Sequence, residues 1–178
     1  MITSIPEIVY LAPTNVEEYF AMMDWALNQN EHKVAIRVPT YSYEHSKGEV
    51  DTDYSDLNKF KVVKEGKDVA VIAAGDFFVK GESVVDALAE KGINATLINP
   101  RFVSGVDTEL LNPLRQNHKV VVVLEDGSKE GGFGGRIAQA VGATGMKCLT
   151  YGLEKKFVDR YNPCLLYTSP SPRDVEES

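Results

Sequence analysis

The stretch KVVVVLEDGSKEGGFGGRIAQAV, residues 119–141, decides the fold of the second half of the chain. Val120 to Leu124 is an unbroken run of β-branched and aliphatic residues, which is typical of a parallel strand buried on both faces. Glycines follow it, and from Phe133 to Val141 apolar residues recur at i, i+4, i+7 and i+8, the spacing of one helix face. The stretch therefore predicts a central strand, a glycine loop and a helix.

Residues at the carboxyl end of this strand are candidates for a crevice or an interface. In open α/β sheets the carboxyl ends of the strands face the region where ligands or partner domains lie, so we select Glu125, Gly131 and Gly132. Gly132 and Gly134 begin the G-x-G of a dinucleotide fingerprint, but Ile137 stands where the third glycine belongs, and the glycines come too late after the strand. We expect these glycines to let two backbone segments approach closely instead of binding a nucleotide.

Composition limits the class of protein. The chain has 178 residues, of which 43% are hydrophobic and 25% charged, as in a soluble globular protein of one domain or one domain plus part of another. No apolar run approaches the roughly 20 residues of a membrane span, and the N-terminus lacks the features of a secretory signal, so we expect a cytoplasmic protein. A net charge of −7 without a basic cluster argues against nucleic-acid binding. Cys148 and Cys164 form no disulfide framework or metal-ligand spacing.

The first forty residues predict strand, helix, strand. Ile8 to Leu11 is a short apolar strand, and Thr14 to Glu17 has the pattern of a capping box. The helix that follows ends at Asn28. Five residues are expected on its inner face: Tyr19, Met22, Met23, Ala26 and Leu27. Val34 to Val38 is the second strand.

Arg37 is the candidate for substrate binding in this part of the chain. It lies among apolar residues near the carboxyl end of a strand, where a charge is costly unless it is paired or faces a cleft. An anion contact, an interdomain salt bridge and a solvated strand edge remain open. The polar segment Pro39 to Asn58 has no sustained period and is interpreted as a linker. His45 within it is expected to be exposed, without a second ligand or a partner nucleophile.

From Phe60 onward, strands alternate with helices. The predicted elements, in chain order, are strand Phe60–Val63, strand Asp68–Gly75, helix Gly81–Lys91, strand Ala95–Asn99, a helix capped by Asp107 and shortened by Pro113, the organising strand and helix, strand Met146–Tyr151 and helix Glu154–Tyr161. This alternation predicts an α/β fold with a mostly parallel sheet flanked by helices.

Several ordered segments resemble one enzyme family. IPEIVYLAPTNVEEYFAMMDWAL and VAIRVP look like the end of a pyrimidine-binding domain, whereas GKDVAVIAAGDF, ATLINPRFVSGVD, VVVVLEDGSKEGGFGGRIAQ and TYGLEKKFVDRY look like parts of the domain that follows it. Together they resemble the C-terminal part of the 1-deoxy-D-xylulose-5-phosphate synthases, in the thiamine-diphosphate-dependent transketolase family. The resemblance implies residues 1–40 as the truncated end of the pyrimidine-binding α/β domain, 41–59 as a linker and 60–163 as the transketolase C-terminal domain. Arg101, within this resemblance, is a further crevice or interface candidate.

The resemblance also implies an activity. These synthases condense pyruvate with glyceraldehyde 3-phosphate, with loss of carbon dioxide, for isoprenoid, thiamine and pyridoxal biosynthesis. Thiamine diphosphate with Mg²⁺ supplies the carbanion chemistry. It implies a homodimeric parent enzyme whose N-terminal domains are partners of this chain. A transketolase, a 2-oxo-acid dehydrogenase β subunit and a non-catalytic partner-binding module are the alternatives.

The family's catalytic machinery is absent from this chain. Its Gly-Asp-Gly motif for magnesium and diphosphate is not restored by Asp126, which follows Glu125, or by Gly75-Asp76, which Phe77 follows. We therefore predict no catalytic and no metal-binding residue here, and an inactive fragment. Thr40 stands where many members carry an arginine that contacts the substrate phosphate, and a lost guanidinium weakens such binding.

The last residues differ in composition from the rest. CLLYTSPSPRD, which starts at Cys164, looks like the conceptual translation of a transposase adapter used in sequencing libraries. We therefore expect residues 164–178 to be a non-native tail, and a natural disordered Pro/Ser tail is the alternative.

Overall fold

In a computed structural model of the chain, residues 5–38, 44–142 and 144–153 are described. They form a two-stranded sheet near the N-terminus and a five-stranded sheet that follows it, with helices between the strands. The described part of the chain contains no helix that is long and apolar enough to cross a membrane.

The first sheet pairs β1 (Ile8–Leu11) with β2 (Lys33–Ile36) in parallel, and α1 (Val16–Leu27) connects them. Both strands and the helix lie where the sequence predicts them, although β2 ends two residues earlier than expected. Met22 is fully buried, but Leu27 is 76% exposed, so its predicted place on the inner face is wrong. Asn28 is the C-cap of the helix, which agrees with the predicted end.

The start of α1 corrects the predicted capping box by one residue. Asn15, not Thr14, is the N-cap, and its side-chain oxygen accepts from the backbone N–H of Glu18 at 2.8 Å. Glu18 reaches back in turn: its Oε2 accepts from both the backbone N and the hydroxyl of Thr14 at 2.7 Å. Asn15 is as good a cap as Thr14 in isolation, so sequence alone did not separate the two registers.

The second sheet has five strands. They are β3 (Lys61–Lys64), β4 (Asp68–Ala73), β5 (Thr96–Asn99), β6 (His118–Ser128) and β7 (Lys147–Leu153), in the order β3-β5-β4-β6-β7. Only the edge pair β3–β5 is antiparallel. The predicted α/β class with a mostly parallel sheet is therefore confirmed. The organising strand β6 is hydrogen-bonded on both sides, as expected of a buried strand, although β4 holds the middle position.

Helices cover both faces of this sheet. They are α2 (Phe78–Glu90), α3 (Thr108–Leu114) and α4 (Phe133–Gly142). Residues of α3 and α4 pack on one face with Ile72 and Val121, and α2 packs on the other with Val71 and Leu97. Asp107 caps α3 as predicted, accepting from Leu110 N at 3.0 Å. The α2 helix begins three residues before Gly81, and the predicted helix Glu154–Tyr161 lies outside the described residues.

The two sheets are in contact through backbone and side chains. Leu11 at the end of β1 forms an isolated antiparallel bridge with Phe102, just after β5. The segment 44–58, interpreted as linker, contains no described helix or strand, yet its Tyr54 is only 1% exposed. The Tyr54 ring meets Trp25 of α1 edge-on at 6.1 Å and Phe102 at 6.3 Å between centroids. This segment therefore supplies part of the core between the sheets.

Candidate functional site

The strand order has a switch point at the carboxyl ends of β4 and β6, and we call this position the crevice. From β4 the chain passes to β5 on one side, and then to β6 on the other side, so the loops after β4 and β6 diverge. In open α/β sheets such a switch point is where a ligand or a partner surface lies. Here a short 3₁₀ turn, Gly75–Phe77, follows β4, and Asp126 lies near the end of β6.

Arg37 reaches this crevice from the first sheet. Its backbone N–H donates to Leu11 O at 2.9 Å, which holds the residue against β1 just beyond β2. Its Nη2 lies 2.8 Å from Oδ1 of Asp126, and the two side chains are 27% and 15% exposed. Among the alternatives left open for Arg37, the structure therefore contains an ion pair between the two sheets. A contact of Arg37 with substrate stays a prediction.

Asp126 has a second carboxyl group beside it. The Asp76 carboxyl is near enough to act on the charge of Asp126. Burial raises the pKa of Asp126 to about 7; Arg37 opposes the rise, and the charge of Asp76 adds to it. Lys80, on the first turn of α2, lies with its Nζ 4.1 Å from the centre of the Phe77 ring. Burial lowers the pKa of Lys80, whereas Asp76 and Asp126 act in the opposite direction. Two acidic and two basic side chains thus lie close together at one end of the sheet.

Glu125, predicted to face a crevice or an interface, holds the start of α4. It is 3% exposed, and its Oε2 and Oε1 accept from the backbone N–H groups of Phe133 and Gly134 at 2.9 and 2.8 Å. A carboxylate is favourable at a helix N-terminus, where the amides lack intrahelical partners. Both oxygens are therefore engaged within the domain.

The glycines make room for this carboxylate. A Cβ at Gly132 would collide with the carbonyl oxygen of Ser128 and would lie 2.6 Å from both Glu125 oxygens. At Gly127 it would lie 2.8 Å from Glu125 Oε2. Gly131 has a φ of +72°, which favours glycine, and a Cβ built there would have open space within 4 Å. The close backbone approach expected from the sequence is present, and it surrounds a buried carboxylate.

Arg101, the remaining crevice or interface candidate, does not share the Asp126 partner of Arg37. Its Nη1 donates to Asp51 Oδ2 at 3.0 Å, and its Nε and Nη2 donate to the carbonyl of Lys59 at 3.1 and 2.7 Å. The side chain is 13% exposed. Arg101 thus ties the end of β5 to the segment that precedes β3.

Sequence reasoning missed two members of the crevice and one surface pair. Asp76 and Lys80 were not selected, although Gly75-Asp76 follows a buried strand just as Glu125-Asp126 does, which was an available signal. His45 is exposed, as predicted, and its Nδ1 lies 2.7 Å from Glu17 Oε1, a contact that the sequence did not indicate. No local pattern predicts that pair, because the two residues are separated by 28 positions.

The described residues do not fit a thiamine diphosphate–magnesium site. No group of three or more His, Cys, Asp or Glu side chains among them is arranged to hold a metal ion. Asp126 is already paired with Arg37, and a diphosphate placed beside the carboxyl groups of Asp126 and Asp76 would be repelled. A cavity of about 290 Å³ lies between α1, the segment 44–51, β3 and α2. Its lysines, Lys47 and Lys61, are paired with Glu82 and Asp51 of the same chain.

Comparison with known proteins shows where the fold recurs. Residues 58–163 match the family described as "Transketolase, C-terminal domain". A 1-deoxy-D-xylulose-5-phosphate synthase of Clostridium acetobutylicum is 31% identical over 168 residues, which are 93% of this chain and 27% of that protein. One from Trichormus variabilis is 35% identical over 138 residues, which are 77% of this chain and 22% of that protein. The chain thus spans about a quarter of the length of these relatives.

Solved structures agree on the fold. A split-gene transketolase described as an inactive β4 tetramer superimposes with a TM-score of 0.75 at 23% identity, covering 89% of this chain and 52% of that one. A transketolase mutant from Pichia stipitis gives a TM-score of 0.64 at 13% identity, over 85% of this chain and 21% of that one.

Proposed function

Because the chain belongs to the transketolase C-terminal domain family, we propose that it is the C-terminal part of a 1-deoxy-D-xylulose-5-phosphate synthase. The observation that carries this proposal is the identity of 31–35% to curated synthases over most of the chain. The transketolases of known structure are less similar, at 13–23%. The parent enzyme would condense pyruvate with glyceraldehyde 3-phosphate and release carbon dioxide.

The proposal assigns each part of the chain a place in the parent. Residues 1–40 would end the pyrimidine-binding domain, 41–59 would join the domains, and 60–163 would form the C-terminal domain. The N-terminal domains of a cytoplasmic homodimer would supply thiamine diphosphate, Mg²⁺ and the catalytic residues. This chain would contribute the packing surface beneath them, because its own buried acids and bases are engaged with one another.

The test is a hybrid enzyme. The N-terminal part of the Clostridium acetobutylicum synthase, joined to residues 1–163 of this chain at the matched position, should form 1-deoxy-D-xylulose 5-phosphate from pyruvate and glyceraldehyde 3-phosphate. The N-terminal part alone and this chain alone are the controls, and both should be inactive. A hybrid that folds, binds the cofactor and decarboxylates pyruvate without condensation would contradict the proposal. Ketose transfer instead would favour a transketolase.

A second arrangement is favoured by one comparison. The split-gene transketolase that shares this fold is described as inactive when assembled from one kind of subunit. By analogy, this chain would act as a separate subunit that does no chemistry until a partner subunit brings the cofactor site. Mixing this chain with a separately expressed N-terminal part tests the idea. Activity recovered on mixing, without covalent fusion, would support the subunit arrangement over the fragment.

A further inference from the structure

One side of α1 packs on the first sheet, and the opposite side carries a second row of apolar residues. Glu18 and Met22 are buried on the inner side, where Met22 belongs to the core around Phe102. At 3.6 residues per turn, the residues on the other side of the helix recur at i, i+4, i+7 and i+11 from Val16. They are Val16, Phe20, Met23 and Leu27, and we call them the outer stripe.

The outer stripe is open to solvent in this chain. Phe20 is 63% and Leu27 is 76% exposed, the two largest exposed fractions among the large hydrophobic side chains that the structure describes. Val16 and Met23 between them are partly exposed. Single apolar side chains are normal on a protein surface, but a continuous row along a helix marks a contact site. A helix that is apolar on two opposite sides is typically buried on both.

The spacing of the outer stripe fits another helix. Its members lie four, three and four residues apart, which is the spacing of the seam between two helices of a coiled coil. The stripe is about 16 Å long at 1.5 Å per residue, and a second helix at an interaxial distance of about 8–10 Å would cover it. Because the stripe faces away from the first sheet, another helix on that sheet would lie beside α1 and leave the stripe open. The cover must therefore come from another domain.

Charge decides what kind of helix fits the outer stripe. Residues 14–31 contain four acids and no Lys or Arg. Two of these acids flank the stripe on one side: Asp24 is exposed, and the Glu17 side chain is 42% exposed beside His45. In an antiparallel pair of two copies of α1, Glu17 of one chain would face Asp24 of the other, and like charges would oppose the contact. A partner helix with Lys or Arg beside its apolar residues fits instead.

We propose that the outer stripe of α1 is the docking surface for an amphipathic helix in the N-terminal part of the parent enzyme. That helix carries apolar residues at the same spacing as the stripe, with Lys or Arg beside them. The inference rests on the proposed function, because it takes the partner from that parent. This chain spans about a quarter of the length of its relatives, so most of the parent lies outside it. Docking buries Phe20 and Leu27 and places a base opposite Asp24.

The test compares the 178-residue chain with the hybrid enzyme that carries the N-terminal part of the Clostridium acetobutylicum synthase. Phe20→Cys and Leu27→Cys, made one at a time, report the cover through the rate at which the new thiol reacts with a maleimide. Both thiols should react at least about tenfold more slowly in the hybrid, because a docked partner exposes them only when it opens. Ala87→Cys, at an exposed position of α2, is the control and should react equally in both. The parent chain and hybrid without these substitutions give the background from the native cysteines.

Affinity separates the apolar part of the contact from the charged part. The 178-residue chain is titrated into the separately expressed N-terminal part of the same synthase. Phe20→Ala should weaken the affinity by at least about tenfold, as the loss of a central apolar anchor does. Asp24→Lys should weaken it by about threefold to tenfold, and this effect should shrink as the salt concentration rises. Asp86→Lys, on α2 with a side chain that is 76% exposed, is the matched charge control and should leave the affinity unchanged.

The outcomes separate this inference from the proposed function. A hybrid that forms 1-deoxy-D-xylulose 5-phosphate while both introduced thiols react as fast as in the chain alone overturns the docking surface and leaves the proposed function standing. A hybrid that protects both thiols but decarboxylates pyruvate without condensation supports the docking surface and contradicts the proposed function. If the chain alone sediments as a dimer that Phe20→Ala dissociates, a second copy covers the stripe and the inference is overturned. If the hybrid does not fold, the affinity series decides: no binding, or equal affinities of Phe20→Ala and the wild type, overturns the inference.

Discussion

Replacing Glu125 with glutamine should destabilise the chain through the start of α4. The carboxylate is 3% exposed and accepts from Phe133 N at 2.9 Å and Gly134 N at 2.8 Å. Glutamine has nearly the same shape, but only one of its terminal atoms accepts a hydrogen bond. Its NH₂ group must then face one of the two backbone N–H groups, donor against donor.

The magnitude follows from what is lost. A hydrogen bond to a charged group contributes about 1.5–3 kcal/mol, and a buried donor left without a partner costs about 1–3 kcal/mol. The favourable interaction of a carboxylate with a helix N-terminus is lost as well, about 0.3–1 kcal/mol. Since these contributions overlap, we expect the free energy of unfolding to fall by about 2–4 kcal/mol. For a chain of this size that is a decrease of roughly 4–15 °C in Tm.

Urea unfolding followed by circular dichroism measures this change. Glu65→Gln is the matched control, since Glu65 is exposed in the connection between β3 and β4. The control should stay within about 0.5 kcal/mol of the wild type, as surface substitutions usually do. If Glu125→Gln were as stable as Glu65→Gln, the carboxylate would not be what holds α4, and the role assigned to the surrounding glycines would be wrong with it.

Two further predictions concern local geometry and surface charge. Gly132→Ala should lower the free energy of unfolding by about 1–3 kcal/mol, because its Cβ would collide with the Ser128 carbonyl. Gly135 is exposed in α4 with open space around it, so Gly135→Ala should be neutral or stabilising by up to about 1 kcal/mol. Equal urea midpoints for the two variants would refute this. The hydrogen bond from His45, with help from backbone amides, lowers the pKa of Glu17 to about 2. Its stabilising effect is therefore present above the ordinary glutamate pKa and is lost as pH falls through 2. NMR should find that Glu17 titrates nearer its ordinary value in His45→Ala, and an unchanged Glu17 titration would show that the pair does not form in solution.

The buried strands could be predicted from the sequence because their apolar runs are unbroken. A strand buried on both faces must be almost wholly apolar, so Asp68–Ala73 and the run from Val120 could hardly be placed elsewhere. Helix starts were less secure, because several adjacent residues can serve as caps. Thr14 and Asn15 are equivalent in isolation, and the buried position of Glu18 against Thr14 and Asn99 decides between them.

The crevice could be only half predicted. Its location follows from strands ending in acidic residues, and both Arg37 and the end of β6 were selected. Their pairing could not be derived, since 89 positions separate Arg37 from Asp126 and no spacing rule links them. Glu125 was expected to face outward at the strand end, as its neighbour does. Alternation along a strand sends adjacent side chains to opposite faces, which separates the Glu125 contact with α4 from the Asp126 contact with Arg37.

The small first sheet depends on the second for its stability. Two parallel strands with one helix bury too little apolar surface to be stable alone, because parallel sheets need cover on both faces. Here Tyr54 and Phe102, both almost fully buried, complete the core around Met22, and backbone hydrogen bonds join Val103 N to Tyr10 O. The Arg37–Asp126 pair adds a charged contact at the crevice. Weakening that pair by Arg37→Gln should therefore loosen β1 and β2 along with the Gly75–Phe77 turn, and amide hydrogen exchange should show lower protection in both regions.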